Sequence, residues 1–164
     1  MSEKNPRILV FSTDKISDPA IDMAGLLKKH SKLCAIIAPH EPSEGRVAEI
    51  EKHFNDKGLE TARYTRLGEL ETGAVKRVII VDTVGVLYKL YRRGHMAYVG
   101  GGFRQGVHNV MEPAGMDLPV VFGPYHENSA EAVEMIRAGG AFEARNQQEM
   151  EDIFDKWIEN EKER

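Results

Sequence analysis

The sequence predicts an α/β domain in which a parallel β-sheet is sandwiched between helices. Short apolar runs alternate with segments of helical periodicity, the signature of successive βαβ units. In addition, the polar and glycine-rich points of the chain fall directly after the runs that read as strands: Ser12-Thr13, Pro39-His40, Asp82-Thr-Val-Gly85, residues 100–109 and Gly123-Pro-Tyr-His126. In a parallel sheet those strand ends share one edge, where doubly wound folds bind ligands. Five marked loops on one rim are hard to explain by packing alone.

The first strand is expected at residues 8–11, followed by a helix over about 18–29. The second strand, residues 34–37, contains Cys34, which reads as a buried core residue because Leu33, Ala35, Ile36 and Ile37 surround it. A helix starting near Ser43 places Val47, Ile50 and Phe54 on one face at i, i+3, i+7 spacing. Residues 61–64 form a weak third strand, and residues 65–77 read as a loop. Val78-Ile-Ile-Val81 is the clearest β signal, and the short helix after it carries Leu87, Leu90 and Tyr91. Residues 96–99 and 118–122 are two further strands. A helix over about 129–138 ends at Gly139-Gly140, a glycine C-cap. Residues 141–144 suit a last short strand, and Asn146 suits the N-cap of a final helix. Met150, Ile153, Phe154, Trp157 and Ile158 make an apolar stripe on that helix. The stripe is core, or Trp157 faces an absent partner domain. The charged segment 159–164 reads as a frayed tail.

The chain has 164 residues, the size of one ordinary domain, and its 41% hydrophobic and 29% charged residues describe a soluble globular protein. No apolar run is long enough to cross a bilayer, and the polar residues 1–6 do not resemble a signal peptide, so a cytoplasmic location is expected. A net charge of −4 provides no electrostatic footprint for nucleic acid. With Cys34 as the only cysteine, an internal disulfide and a cysteine-based metal cluster are excluded.

The chain is organised around Tyr98-Val-Gly-Gly-Gly-Phe-Arg-Gln-Gly-Val-His-Asn-Val-Met-Glu112. A strand ending in Gly100, Gly101 and Gly102, with a second flexible point at Gly106, feeds what reads as a helix start at His108. Such a junction exposes backbone N–H groups and a helix N-terminus, which suit a phosphate or carboxylate. Glu112 would project from the first turn, beside whatever the loop holds. The plain alternative is a tight βα turn in which glycine only permits packing. His108, Asn109 and Glu112 crowded at one strand end argue against that alternative. The spacing matches neither a P-loop nor the Gly-x-Gly-x-x-Gly dinucleotide fingerprint.

Asp82-Thr-x-Gly followed by a Leu-Tyr helix, Ala97-Tyr-Val-Gly-Gly-Gly-Phe103, Gly106-Val-His-Asn-x-x-Glu-Pro-Ala114 and Pro119-Val-Val-Phe-Gly-Pro124 together resemble the C-terminal half of the 3-deoxy-D-manno-octulosonic acid (Kdo) transferases. Pro39-His40 and Ser12-Thr13 fit the same pattern, which covers nearly the whole chain. The Gly-Gly-Gly-Phe and Tyr-Arg-Arg-Gly-His wording is closest to a Bacteroidetes-like branch. The resemblance implies a GT-B glycosyltransferase, built from two Rossmann-like domains with the active site between them. Residues 1–164 would be the single Rossmann-like domain that binds the nucleotide-sugar donor CMP-Kdo. The N-terminal domain, which carries the catalytic carboxylate and receives the lipid A precursor of lipopolysaccharide biosynthesis, would be absent. No catalytic residue is expected in this chain, which alone would be inactive. Peripheral inner-membrane association is expected of the full-length enzyme.

By position, the resemblance assigns Glu112 to the ribose hydroxyls of CMP and Asn109 to the phosphate. Thr83, Gly85 and Val86 would offer backbone contacts to the nucleotide. Ser12 and Thr13 would lie near the donor phosphate or sugar acid, and His40 and Arg46 are candidates for carboxylate and phosphate charge, unless Arg46 is simply a solvated helix residue. Gly100, Gly101, Gly102, Phe103 and Gly106 would form the loop against the donor, and His108 would donate a hydrogen bond or brace that loop. There is no Asp-x-Asp, so no metal and no other cofactor is expected. Two departures matter: Phe11-Ser-Thr-Asp-Lys15 replaces the family's usual Gly-Ser-Thr wording, and Val86 stands where a Glu is common. The rival readings are another GT-B donor domain using a UDP- or ADP-sugar, and a non-catalytic flavodoxin-like binding module.

Overall fold

The structure, a computed structural model, describes residues 7–13, 22–70 and 76–164. These form a seven-stranded, all-parallel sheet in the order β3-β4-β2-β1-β5-β6-β7. The strands are β1 (Arg7–Thr13), β2 (Leu33–Pro39), β3 (Thr61–Arg63), β4 (Val78–Ile80), β5 (Met96–Val99), β6 (Val120–Phe122) and β7 (Ala141–Glu143). The helices are α1 (Ala24–Lys29), α2 (Glu44–Asn55), α3 (Leu87–Tyr91), α4 (Met111–Ala114), α5 (Ala130–Arg137) and α6 (Gln147–Glu159). From β1 the chain builds one wing through β2, β4 and β3, then crosses to build the other from β5 to β7. The order therefore reverses between β1 and β5, and their carboxyl ends open the crevice that such folds use for ligands.

Side-chain alternation covers both faces of the sheet, as a parallel sheet requires. Leu9 and Phe11 pair in register with Met96 and Tyr98, and all four join the cluster that includes Phe54, Met150, Phe154 and Trp157. Phe11 and Tyr98 stack there with ring centroids 4.7 Å apart. The opposite face buries Val10, Ile36 and Ala97 under Leu90 and Tyr91, and Val99, Val120 and Phe122 under Ala132. Trp157 is 3% exposed, so the stripe on α6 is core and the alternative of a partner-facing tryptophan falls.

The helix ends follow their residues. Ser43, Ser129 and Asn146 cap α2, α5 and α6, each side chain accepting from the backbone N–H three positions on. Gly139, at φ +77°, closes α5 as the sequence predicts. The Arg77 guanidinium donates to the carbonyls of Leu27, His30 and Leu33, so a distant strand supplies the C-terminal cap of α1.

Four elements differ from expectation. The helix predicted at 18–29 is seen as α1 from Ala24, its first part falling outside the described residues. Tyr64–Glu69 form a 3-10 turn where residues 65–77 read as loop, and this turn takes Tyr64 from the end of the expected third strand, while 71–75 lie outside the described residues. Cys34 is half-buried, not buried, because its side chain falls at the one half-open position of β2. The helix expected from His108 starts at Met111 and runs four residues, because Asn109 draws the Met111 N–H (2.9 Å) into a turn of its own. So short a helix has little dipole, and the helix-terminus argument for this loop loses its force.

Candidate functional site

A cavity of about 340 Å³ opens at the β1/β5 end of the sheet. Its walls come from four strand ends: Ser12 near the end of β1, Pro39 at the end of β2 with His40 and Pro42 beyond it, Thr83, Val84 and Gly85 after β4, and His108, Asn109 and Glu112 after β5. Leu87 and Tyr91 of α3 complete it. Seven of the sequence-predicted residues thus meet around one cavity: Ser12, His40, Thr83, Gly85, His108, Asn109 and Glu112.

Each is placed by local bonding. The His40 N–H donates to the Thr13 carbonyl (2.8 Å), tying the β2 loop to the end of β1. His40 and His108 then stack across the cavity, ring centroids 5.1 Å apart and 14° from parallel. The Asn109 amide donates to Glu112 (3.3 Å) while its oxygen holds the Met111 N–H, so the first turn presents an acceptor carboxylate beside an amide. On the other wing, Asp82 accepts from the Thr65 N–H (3.0 Å) and hydroxyl (2.5 Å). Partial burial pushes that carboxyl up, but the two bonds from Thr65 outweigh it and hold it below its usual range. Asp82 therefore stays ionised and fixes the turn in which Gly85 adopts φ +78°.

The glycines are packed. A Cβ on Gly100 would lie 2.7 Å from the Ser12 carbonyl oxygen, and one on Gly102 would lie 2.6 Å from the Gly123 nitrogen. Gly101 takes φ +88°, and its carbonyl collects the N–H groups of Arg104, Gln105 and Gly106 in a tight turn. Close approach of protein backbone, with positive φ at Gly101 and Gly106, accounts for these positions, and none of the four lines the cavity. Phe103 packs, half-buried, against the main core cluster. Thr13 is 1% exposed and turned into the protein, Val86 packs at the start of α3, and Arg46 pairs with Glu49 (2.7 Å) along α2. None of these three lines the cavity.

Two residues escaped the sequence reading. Tyr91, read as the apolar face of a helix, has 1% exposure yet contributes to the cavity wall. Burial pushes its phenol up to about 12, so it is a neutral donor at any physiological pH. Asn128 clamps Val107 with two bonds of 3.0 Å, amide to carbonyl and N–H to amide oxygen, and so fixes the loop leading to His108. Its signal was its place in the loop after β6, which the reading of Gly123-Pro-Tyr-His126 stopped two residues short of reaching. Among the described residues no three His, Cys, Asp or Glu side chains converge as metal ligands would. Among them, too, no helix is long and apolar enough to cross a membrane.

The sheet order, the crevice and its loops define the class: this is a Rossmann-like domain with the fold of one half of a GT-B architecture. Its fold superposes on the C-terminal CMP-Kdo binding domain of WaaA from Acinetobacter baumannii with a TM-score of 0.75 and 23% identity, covering 95% of this chain and 80% of that one. By sequence the chain is a relative of the Kdo transferases. It is 34% identical over 126 residues to the 3-deoxy-D-manno-octulosonic acid transferase of Aquifex aeolicus, covering 75% of this chain and 33% of that protein. A bifunctional glycosyltransferase/methyltransferase of Fusobacterium nucleatum is 32% identical over 139 residues, covering 84% of this chain and 21% of that protein. The chain thus spans a third or less of the length of these relatives. No family model matches it.

Proposed function

We propose that this chain is the donor-binding domain of a Kdo transferase and that CMP-Kdo occupies the crevice between β1 and β5. The observation that carries the reading is the convergence of Ser12, His40, His108, Asn109 and Glu112 from the ends of three strands on one cavity. A carboxylate accepts from paired hydroxyls, so Glu112 suits the ribose. Asn109 and Ser12 suit phosphate, and the stacked histidines suit the negative charge of phosphate and sugar acid. Thr83 and Gly85 on the far wall would meet the base through their backbone. Thr13, Arg46, Val86, Phe103 and the glycines would act behind the cavity wall.

In this reading Kdo departs from CMP through an oxocarbenium-like transition state. The chain's part is to stabilise charge on the leaving phosphate with donors already in place. The acceptor's proton would pass to a base on a separate acceptor domain, which would also receive the lipid A precursor. No metal has a role in this scheme. A peripheral position on the inner membrane would follow from that acceptor.

Titration with CMP, UMP and AMP, followed by NMR or calorimetry, tests the reading. Saturable binding that favours CMP is expected, weakened at least about tenfold in Glu112→Ala, since hydrogen bonds to a charged group contribute about 1.5–3 kcal/mol. A preference for UMP or AMP would keep the domain and change its donor. No binding to any of the three would overturn the assignment.

A further inference from the structure

The two walls of the crevice are anchored unequally. The wall from β5 is tied down several times over: the His108 N–H donates to the Gly100 carbonyl (3.0 Å) and the Val107 N–H to the Tyr125 carbonyl (3.0 Å), besides the two bonds with Asn128. The wall from β4 consists of Thr83, Val84 and Gly85. Among the described residues, no hydrogen bond reaches the backbone of these three. Packing does not hold them either. Val84 is 74% exposed, and a Cβ on Gly85 would meet nothing within 4 Å. The φ of +78° at Gly85 therefore follows from the path of the chain between its two fixed ends. One end is Val86, whose carbonyl accepts from Lys89 and Leu90 at the start of α3. The other is the Asp82 carboxylate, which is held from the 3-10 turn after β3. One of its oxygens accepts from the Thr65 N–H (3.0 Å) and the other from the Thr65 hydroxyl (2.5 Å). Two donors on two oxygens fix the orientation of the carboxylate as well as its distance, which one bond would not.

We infer that Thr65 is a positioning residue of the donor site, which sets through Asp82 where the β4 wall stands and hence how strictly the site distinguishes one nucleotide base from another. This deepens the donor-domain reading and rests on it, since that reading puts the base against Thr83 and Gly85. Thr65 itself does not line the cavity and need not touch the ligand.

The experiment measures CMP, UMP and AMP affinity for the wild-type chain, Thr65→Val and Thr65→Ser, with thermal stability recorded for each. Valine keeps the shape and the backbone N–H bond and removes only the hydroxyl donor. In Thr65→Val the ratio of preferred to disfavoured base is expected to fall about fivefold, within what the loss of one charge-assisted bond can cause. Thr65→Ser, which retains the hydroxyl, should keep the wild-type ratio. A tether that served stability alone would lower the melting temperature and weaken all bases equally, leaving the ratio unchanged. An unchanged ratio in Thr65→Val, or an equal loss in Thr65→Ser, would overturn the inference. So would a wild type that binds all three bases alike, because there would be no preference to set. Should Thr65→Val fail to fold, Asp82→Asn, which removes the charge that the hydroxyl meets, is judged by the same ratio. If the wild type favours CMP and loses it in Glu112→Ala while Thr65→Val keeps the full preference, only this inference falls. If the wild type binds no nucleotide, the donor-domain reading falls and takes this one with it.

Discussion

Ser12 and Thr13 are neighbours with opposite fates, and strand alternation is the reason. Ser12 looks into the crevice, while Thr13 is 1% exposed and meets the interior. The sequence marked both because it could place the strand end but not the face. The same limit hid Tyr91, which is core and also lines the cavity. The three glycines were legible as a special turn, and the reason for two of them was not: the backbone that Gly100 and Gly102 approach belongs to β1 and to Gly123, remote in sequence. Glu112 and Asn109 needed no such information, because their spacing alone brings them together. A hydrogen-bonded carboxylate at the end of β7 gives a pH signature. His126 donates to Glu143 (2.9 Å), and that bond, with Arg145 also contributing, holds the carboxyl below its usual 4.5. A depressed acid stabilises the fold above its unfolded pKa and loses that contribution as pH falls through the folded value. Glu143→Gln should therefore lower the melting temperature at pH 7 and leave it nearly unchanged near pH 3 in thermal scans.

The elements divide by how much of their signal is local. Met96–Val99 was legible to the residue, as was the cap Asn146, and Ser43 and Ser129 marked their helix starts, since a capping side chain and its N–H are three residues apart. The reach of α4 was not, because Asn109 and Glu112 read equally well as a helix start and as a turn that delays one. The cap of α1 by Arg77 joins positions about fifty apart in sequence and left no local trace. On α6 the stripe was plain and only its partner was in doubt. Trp157 settles edge-on against Phe154 and Phe142, at centroid distances of 5.7 and 5.4 Å. Trp157→Ala should cost about 3–5 kcal/mol in chemical denaturation, as deletion of a buried aromatic does. A loss below about 1 kcal/mol would return the residue to the surface.

At the scale of the molecule, the alternation of strands and helices sufficed to predict a parallel sheet with ligand loops on one rim. It could not give the strand order, because the crossing from β4 to β5 is a long-range choice made by the packed core. The matched relatives are at least three times as long as the aligned segment, and the reading above places the proton acceptor on a separate domain. The chain alone should therefore bind CMP yet transfer no Kdo to a lipid A precursor; measurable turnover in that assay would show that the chemistry is complete here. The crossing between the two wings has one more consequence. The loop held by Asp82 and Thr65 belongs to one wing, and the loop carrying Asn109 and Glu112 belongs to the other. Each has its own brace, Thr65 on Asp82 and Asn109 on Glu112, and the two wings meet where the His40 and His108 rings stack. If the proposed donor site is right, one wing would meet the base and the other the ribose and its phosphate, so substitutions in one loop would change base preference with less effect on the other grip.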